Sequence, residues 1–136
     1  MRLANNHAFI ARYIESRKIA IFAKSENLNS LQNLLTHSGL FNQKNIIGIT
    51  KKEDIGAAEL ATLYLVQWND WFKDIDDILR QRKDGEALIV YAPGGPGSIP
   101  KDKMKVLDGK RNTAVTNFRG RLLNDVVTAM ITTSYI

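Results

Sequence analysis

The stretch Ile19-Ala-Ile-Phe-Ala23 is apolar at every position, and the polar Lys24-Ser-Glu26 follows it directly. A strand that is covered on both faces reads as a continuous apolar run of this kind, which is typical of a parallel sheet between two layers of helices. Four more runs of this type follow along the chain, at Ile46–Ile49, Leu60–Val66, Ala87–Tyr91 and Thr113–Thr116. The pattern predicts five strands.

Amphipathic helices are predicted between these runs. Leu28, Leu31 and Leu35 recur at helical spacing after the first run, with Asn27 or Asn29 as the expected cap. Comparable apolar stripes predict helices over 72–79, 100–107 and 121–135. Because parallel neighbours need a crossover, and because crossovers are right-handed, this alternation predicts a three-layer α/β/α fold. Its five-stranded parallel sheet is expected to have the order 2-1-3-4-5.

One segment of this pattern is ambiguous. Leu60–Val66 fits a strand because Thr62, Tyr64 and Val66 are β-branched or aromatic, but it also fits the continuation of a helix. A helix there would leave four strands and would displace the expected site.

Length and composition indicate one globular domain over residues 1–136, in which residues 1–17 form an N-terminal helical extension. The chain contains no cysteine, which excludes thiolate chemistry and disulfides. No apolar run approaches the roughly 20 residues of a membrane span, and no secretory signal is seen. A cytoplasmic protein without a membrane partner is therefore expected. The formal net charge of +5 favours an anionic partner.

The carboxyl ends of parallel strands meet at one edge of a sheet, and ligands of such sheets bind there. Polar clusters follow all five runs and are predicted to line that edge. The candidate ligand-binding residues among them are Lys24, Ser25, Asn69, Asp70, Gly94, Gly95, Gly97, Asn117, Arg119 and Arg121.

Two of these candidates, Arg119 and Arg121, are cations at a position where the helix dipole disfavours positive charge. With Asn117 as the cap of the final helix, Arg119 and Arg121 fall in its first turn, where cations oppose the helix dipole by about 0.3–1 kcal/mol each. Such a placement predicts a compensating partner, either an internal carboxylate or an external anion. Gly120 between them is costly in a helix and predicts a close approach to its backbone.

The loop Pro93–Ser98 is the only Gly/Pro-rich stretch in the chain. Its glycines lack the spacing of the known phosphate-binding loops, and Pro96 removes one backbone N–H. Two interpretations stay open, a flap that orders over the site when a ligand binds and a rigid turn.

Groups able to perform chemistry are sparse. His7 and His37 are the only histidines, and neither has a carboxylate at metal-ligand spacing, so no metal and no cofactor is predicted. Asp70 and Asp74 are the candidate catalytic acids. The basic segment over 101–111 is interleaved with aspartates, so a nucleic-acid partner is not expected.

The order of strands and helices resembles the flavodoxin-like group, which includes receiver and TIR-like domains. The receiver resemblance implies paired acids after the first strand and a lysine after the fifth, where this chain has Lys24-Ser-Glu26 and Asn117-Phe-Arg-Gly120. The TIR-like resemblance implies a glutamate on the helix after the third strand, where Asp74 is the nearest acid. The resemblance is one of order, without a diagnostic motif.

The absence of a complete catalytic constellation favours a non-catalytic interaction or sensory module. Its expected partner is an anionic, nucleotide-like small molecule or an acidic protein surface, with a homodimer left open. The alternative is a TIR-like or nucleotide-processing enzyme, in which Asp70 or Asp74 is the acid and Trp68 or Trp71 stacks on the base.

Overall fold

A computed structural model describes residues 17–95 and 97–134, apart from the side chain of Ser134. Except for Arg17, the predicted N-terminal helix lies outside these residues. The strands are β1 Ile19–Phe22, β2 Ile46–Ile49, β3 Leu63–Gln67, β4 Ala87–Tyr91 and β5 Thr113–Thr116. The α-helices are α1 Ser25–His37, α2 Trp68–Trp71, α3 Ile75–Gln81, α4 Lys101–Asp108 and α5 Arg119–Ser134. Three 3-10 helices cover Gln43–Asn45, Lys52–Leu60 and Phe72–Asp74.

The five strands form one parallel sheet with the order β2-β1-β3-β4-β5, which confirms the predicted topology. β1 lies between β2 and β3, and its Ile19 is paired with Ile46 on one side and with Leu63 on the other. β1, β3 and β4 are buried along their whole length, as expected of strands covered on both faces.

Alternate residues of the strands contribute to two separate cores. On one face Ile21 and Leu65 pack with α1 and α5, through residues such as Leu31 and Val126. On the other face Phe22 packs with α3, α4 and the 3-10 helix Lys52–Leu60. The sheet is therefore the middle layer of an α/β/α fold.

The ambiguous segment is divided between two elements. Its first residue, Leu60, ends the 3-10 helix and is 67% exposed, and β3 begins only at Leu63. The backbone N–H of Thr62 donates to the carbonyl of Lys18, so the chain has already joined the sheet edge at that point. The prediction of a strand is confirmed, with a later start.

The predicted capping of α1 is wrong. The N-cap position is Lys24, and no side chain of α1 caps the helix. Asn27 donates its side-chain amide to the carboxylate of Asp70 instead. The group that binds the start of α1 thus comes from α2, which follows β3 directly, 46 residues away in the chain.

The helix predicted over 72–79 is also broken. α2 and the 3-10 helix Phe72–Asp74 precede α3, which ends at Gln81. Arg82 is extended and buried, and its Nη1 donates to the carbonyls of Glu86 and Arg111 at 2.7 and 2.9 Å. Burial lowers the pKa of Arg82. The helix stops where this side chain joins the starts of β4 and β5.

Among the described residues, no helix combines the length and apolar character needed to cross a membrane.

Candidate functional site

The carboxyl edge of the sheet contains two regions of different character. Around the ends of β1 and β3, contacts of backbone or side chain connect Lys24, Asn27, Asp70 and Trp71; this group is called the Asp70 cluster. Around the ends of β4 and β5 lies a cavity of about 390 Å³, called the Arg121 cavity. The described residues that line it are Ala92, Gly95, Gly97, Ser98, Ile99, Met104, Val115, Asn117 and Arg121.

In the Asp70 cluster the carboxylate of Asp70 accepts hydrogen bonds from two groups of α1 and its N-cap. Its Oδ2 accepts the backbone N–H of Lys24 at 2.8 Å and the side-chain amide of Asn27 at 3.1 Å. The carboxylate therefore accepts a backbone N–H at the start of α1. Its negative charge also interacts favourably with the positive end of the helix dipole there. Ser25, which follows, has a φ of +50°, a conformation that non-glycine residues seldom adopt.

The cation of the same cluster is engaged as well. Lys24 Nζ lies 5.4 Å from the centroid of the Trp71 ring, within the range of a cation–π contact. Trp71 is completely buried and packs edge-on against Phe22, with ring centroids 5.4 Å apart. Its indole Nε1 has no hydrogen-bond partner among the described residues. These contacts connect β1, α1 and α2 as a structural unit.

The Arg121 cavity differs because its polar groups retain hydrogen-bonding capacity. Apolar side chains such as Ile99, Met104 and Val115 form part of its wall, and Arg121 is the one charged side chain among its described lining residues. Asn117, in the loop before α5, makes no side-chain hydrogen bond within the described part of the chain, and neither does Ser98. Three side chains with donors thus line a partly apolar cavity.

Arg121 itself is held at one nitrogen. Its Nε lies 3.4 Å from Oδ2 of Asp125, one helical turn later, and that oxygen also accepts the hydroxyl of Thr116 at 2.7 Å. Within the described residues neither terminal nitrogen of this guanidinium has a hydrogen-bond partner. The pair orients the side chain while its two terminal NH₂ groups stay available.

The neighbouring Arg119 is directed elsewhere. Its Nη2 donates to the backbone carbonyl of Ser30 on α1 at 3.1 Å, and it is not among the residues that line the Arg121 cavity. Gly120, between the two arginines, lies under an aromatic ring: a Cβ added there would be 2.3 Å from Cε2 of Phe118. The expected close approach to this glycine is found, and it comes from the protein's own side chain.

The glycine-rich loop lines the Arg121 cavity through Gly95, Gly97 and Ser98, and Ser98 also lines a second cavity. The backbone N–H of Ser98 donates to the carbonyl of Gly95 at 3.2 Å, and Gly95 and Gly97 have φ values of +82° and +86°. A Cβ at Gly94 would lie 3.1 Å from that of Ser98. The carbonyl of Ser98 accepts the indole N–H of Trp68 at 3.2 Å. The loop is therefore a turn that is held by a hydrogen bond from Trp68, 30 residues away in the chain. The expectation that this loop orders further when a ligand binds stays a prediction.

This second cavity, the Trp68 cavity, has a volume of about 300 Å³ and is lined by Trp68, Asn69, Phe72, Ser98 and Pro100. Asn69 is the candidate ligand-binding residue that lies in it, and Trp68, a candidate stacking residue of the enzymatic alternative, lines it as well.

A third cavity of about 320 Å³ lies between β5 and α5. Both Arg121 and Asp125 line it, and the carboxylate makes it less suited to an anion than the Arg121 cavity.

Asp74 lies apart from both the Arg121 cavity and the Trp68 cavity. Its carboxylate is 3.9 Å from Nζ of Lys52, whose ammonium also lies 3.4 Å from Asp77. Asp77 additionally contacts Arg80, and Asp76 lies 3.3 Å from Lys103. Within the described residues, no group of three His, Asp or Glu side chains is arranged to hold a metal ion.

Three residues of these sites are missed by the sequence patterns. Ser98, which lines both cavities, is one polar residue in a loop and carries no signal of its own. Phe72 fits the apolar stripe of a helix, but the break of that helix leaves it 46% exposed. Asp125 lies four residues after Arg121, and that spacing is a readable signal for the pair.

Comparison of this chain with protein-family models, with curated proteins and with solved structures finds no match.

Proposed function

We propose that this protein is a non-catalytic binding module of sensory or signalling type, which binds a small anionic molecule in the Arg121 cavity. Ligands of parallel α/β sheets bind at the carboxyl edge, where this cavity lies. Its concave form and its volume of about 390 Å³ favour a small molecule over an acidic protein surface. The formal net charge of +5 adds a general attraction for anions.

The observation that carries the proposal is the state of Arg121. Its Nε is paired with Asp125, and its terminal nitrogens are unengaged among the described residues, at a cavity whose described lining contains no acid. A guanidinium binds phosphate or carboxylate through two parallel N–H donors, so these nitrogens match such a group. The amide of Asn117 and the hydroxyl of Ser98 supply further donors.

The enzymatic alternative lacks an observation of this kind. The carboxylate of Asp70 accepts hydrogen bonds from the start of α1, and that of Asp74 is paired with Lys52. Neither is among the described lining residues of the Arg121 cavity or of the Trp68 cavity. A general acid must reach the substrate, and neither carboxylate lies at a cavity of the described residues that would bring a substrate to it.

The test is a titration of ¹⁵N-labelled protein with inorganic phosphate at pH 7 and constant ionic strength. We expect saturable shifts of the backbone amides of Gly95, Gly97 and Ser98. Arg121→Gln is expected to raise the Kd about tenfold, because a tenfold change corresponds to about 1.4 kcal/mol, the size of one charge-assisted hydrogen bond.

The control is Lys44→Gln, which removes the same charge from the exposed 3-10 helix before β2, at the opposite edge of the sheet. Its Kd is expected to stay within twofold of the wild-type value. Shifts that do not saturate, or equal weakening by the two substitutions, contradict the proposal, since both results describe non-specific attraction.

A further inference from the structure

The Arg121 cavity and the Trp68 cavity have a residue in common. Ser98 lines both, and its carbonyl is fixed by the indole N–H of Trp68 at 3.2 Å. Each cavity alone has a volume near the lower end of the roughly 300–1,000 Å³ that ligand pockets occupy. A ligand that extends across Ser98 would use both.

The walls of the Trp68 cavity are suited to a planar ring. Phe72 is 46% exposed although it is a large apolar side chain, and its ring centroid lies 6.1 Å from that of Trp68 at an angle of 41°. Pro100 supplies a second flat apolar surface to the same cavity. An aromatic heterocycle can stack on such a ring, because every base has a π-face.

The polar group of the same cavity is an amide. Asn69 is exposed, and its side chain makes no hydrogen bond within the described part of the structure. An asparagine amide has donors and an acceptor side by side, and it can pair with adjacent donor and acceptor atoms on the edge of an adenine. The Trp68 cavity therefore offers a stacking surface together with an amide that can form hydrogen bonds with the edge of a base.

From this arrangement we infer that the ligand is a nucleoside phosphate of the adenine type. Its phosphate binds at Arg121, its sugar lies across Ser98, and its base stacks against Phe72 with its edge at Asn69. This inference rests on the proposed function, because the phosphate site is the Arg121 cavity, and it adds the Trp68 cavity as a base site.

The test compares three probes by calorimetry: AMP, ribose 5-phosphate and inorganic phosphate. We expect the wild-type protein to bind AMP at least tenfold more tightly than ribose 5-phosphate. Phe72→Ala is expected to reduce that preference to less than threefold while leaving the affinity for inorganic phosphate within twofold. Asn69→Ala, at an exposed position, is expected to reduce the preference without a change in the thermal midpoint.

The control variant is Leu60→Ala, which removes an exposed apolar side chain at the end of the 3-10 helix Lys52–Leu60. It is expected to keep the full preference for AMP. Different results would overturn the base site and the anion site. Equal affinities for AMP and ribose 5-phosphate, both weakened by Arg121→Gln, overturn the base site and leave the anion site standing. No binding of any of the three probes overturns the proposed function and the base site together.

Discussion

The two halves of the carboxyl edge differ in what their polar groups contact. In the Asp70 cluster the carboxylate accepts the N–H of Lys24 and the amide of Asn27, and the ammonium of Lys24 lies over Trp71. At the Arg121 cavity the guanidinium has one internal partner, and the side-chain donors of Asn117 and Ser98 have none among the described residues. In the sequence both halves look alike, as polar residues that follow apolar strands.

The difference shows that position at the strand ends is not enough to identify a binding group. Asp70 and Arg121 both lie at this edge, but they differ in how far along the chain their hydrogen-bond partners are. Asp70 meets residues 46 and 43 positions away, whereas Arg121 meets a carboxylate four positions away on its own helix. We therefore expect changes in the Asp70 cluster to reduce stability and changes at the Arg121 cavity to reduce binding.

The largest effect on stability is expected for Asp70→Ala. This substitution leaves the N–H of Lys24 and the amide of Asn27 without their acceptor and removes a carboxylate from the start of α1. We expect the free energy of unfolding to fall by about 2 kcal/mol, as for the loss of a charged capping group. Urea denaturation measures this change.

The matched control is Asp70→Asn, which keeps one acceptor oxygen at the same place. It is expected to recover part of the loss. An unchanged unfolding midpoint for Asp70→Ala would show that the carboxylate of Asp70 does not stabilise the start of α1.

The second expected effect is a loss of stability at high pH, and it comes from a tyrosine in the buried interior rather than from the carboxyl edge. Tyr64 is completely buried, and burial together with the charge of Glu86 raises its pKa from 10.0 to about 12. The unfolded chain therefore loses the phenolic proton first. Stability from this group is complete below pH 10 and is lost as the pH rises toward 12, by about 1.4 kcal/mol per pH unit.

Urea denaturation of the wild-type protein and of Tyr64→Phe between pH 9 and pH 11 measures this difference. The variant loses only the weak 3.4 Å hydrogen bond to Gln81, and its stability is expected to fall less steeply with pH. Parallel curves for the two proteins would show that Tyr64 ionises equally in the folded and unfolded states.

A smaller effect is expected in the glycine-rich loop that lines the Arg121 cavity. Gly97 has a φ of +86°, and an added Cβ would meet no atom within 4 Å, so Gly97→Ala strains the backbone without a clash. We expect a loss of about 1 kcal/mol in unfolding free energy. Gly85→Ala is the control, because it has equal space around it and no left-handed φ. Equal changes for the two variants would contradict the strained turn.

The sheet could be predicted from the sequence because its signal is local. Continuous apolar runs identify buried strands, and the alternation with helices leaves few topologies, so the order 2-1-3-4-5 follows. The boundary of β3 and the break of the helix after it could not be predicted. They depend on where Thr62 joins Lys18 and on the packing of α2 against the sheet.

The site was predictable only in part. The pattern of strand ends brings Gly95, Gly97, Asn117 and Arg121 to one edge, and these four line one cavity. The pattern could not reveal that Arg119 bonds to the carbonyl of Ser30, 89 positions away. Contacts between groups so far apart depend on the packing of α1 beside α5, which no local periodicity encodes.

The most direct test of the contrast is the stabilisation that inorganic phosphate gives to three proteins: wild type, Asp70→Ala and Arg121→Gln. In the absence of phosphate, Arg121→Gln is expected to cost less than about 0.5 kcal/mol, because the Arg121 side chain is 60% exposed. At ten times the wild-type Kd, binding adds about 1.4 kcal/mol to the free energy of unfolding. The general salt effect of phosphate is common to all three proteins and cancels in their differences.

We expect wild type and Asp70→Ala to gain the same increment, and Arg121→Gln to gain only a small part of it. The opposite result, in which Arg121→Gln keeps the increment and Asp70→Ala loses it, would place the anion at the Asp70 cluster and contradict the account.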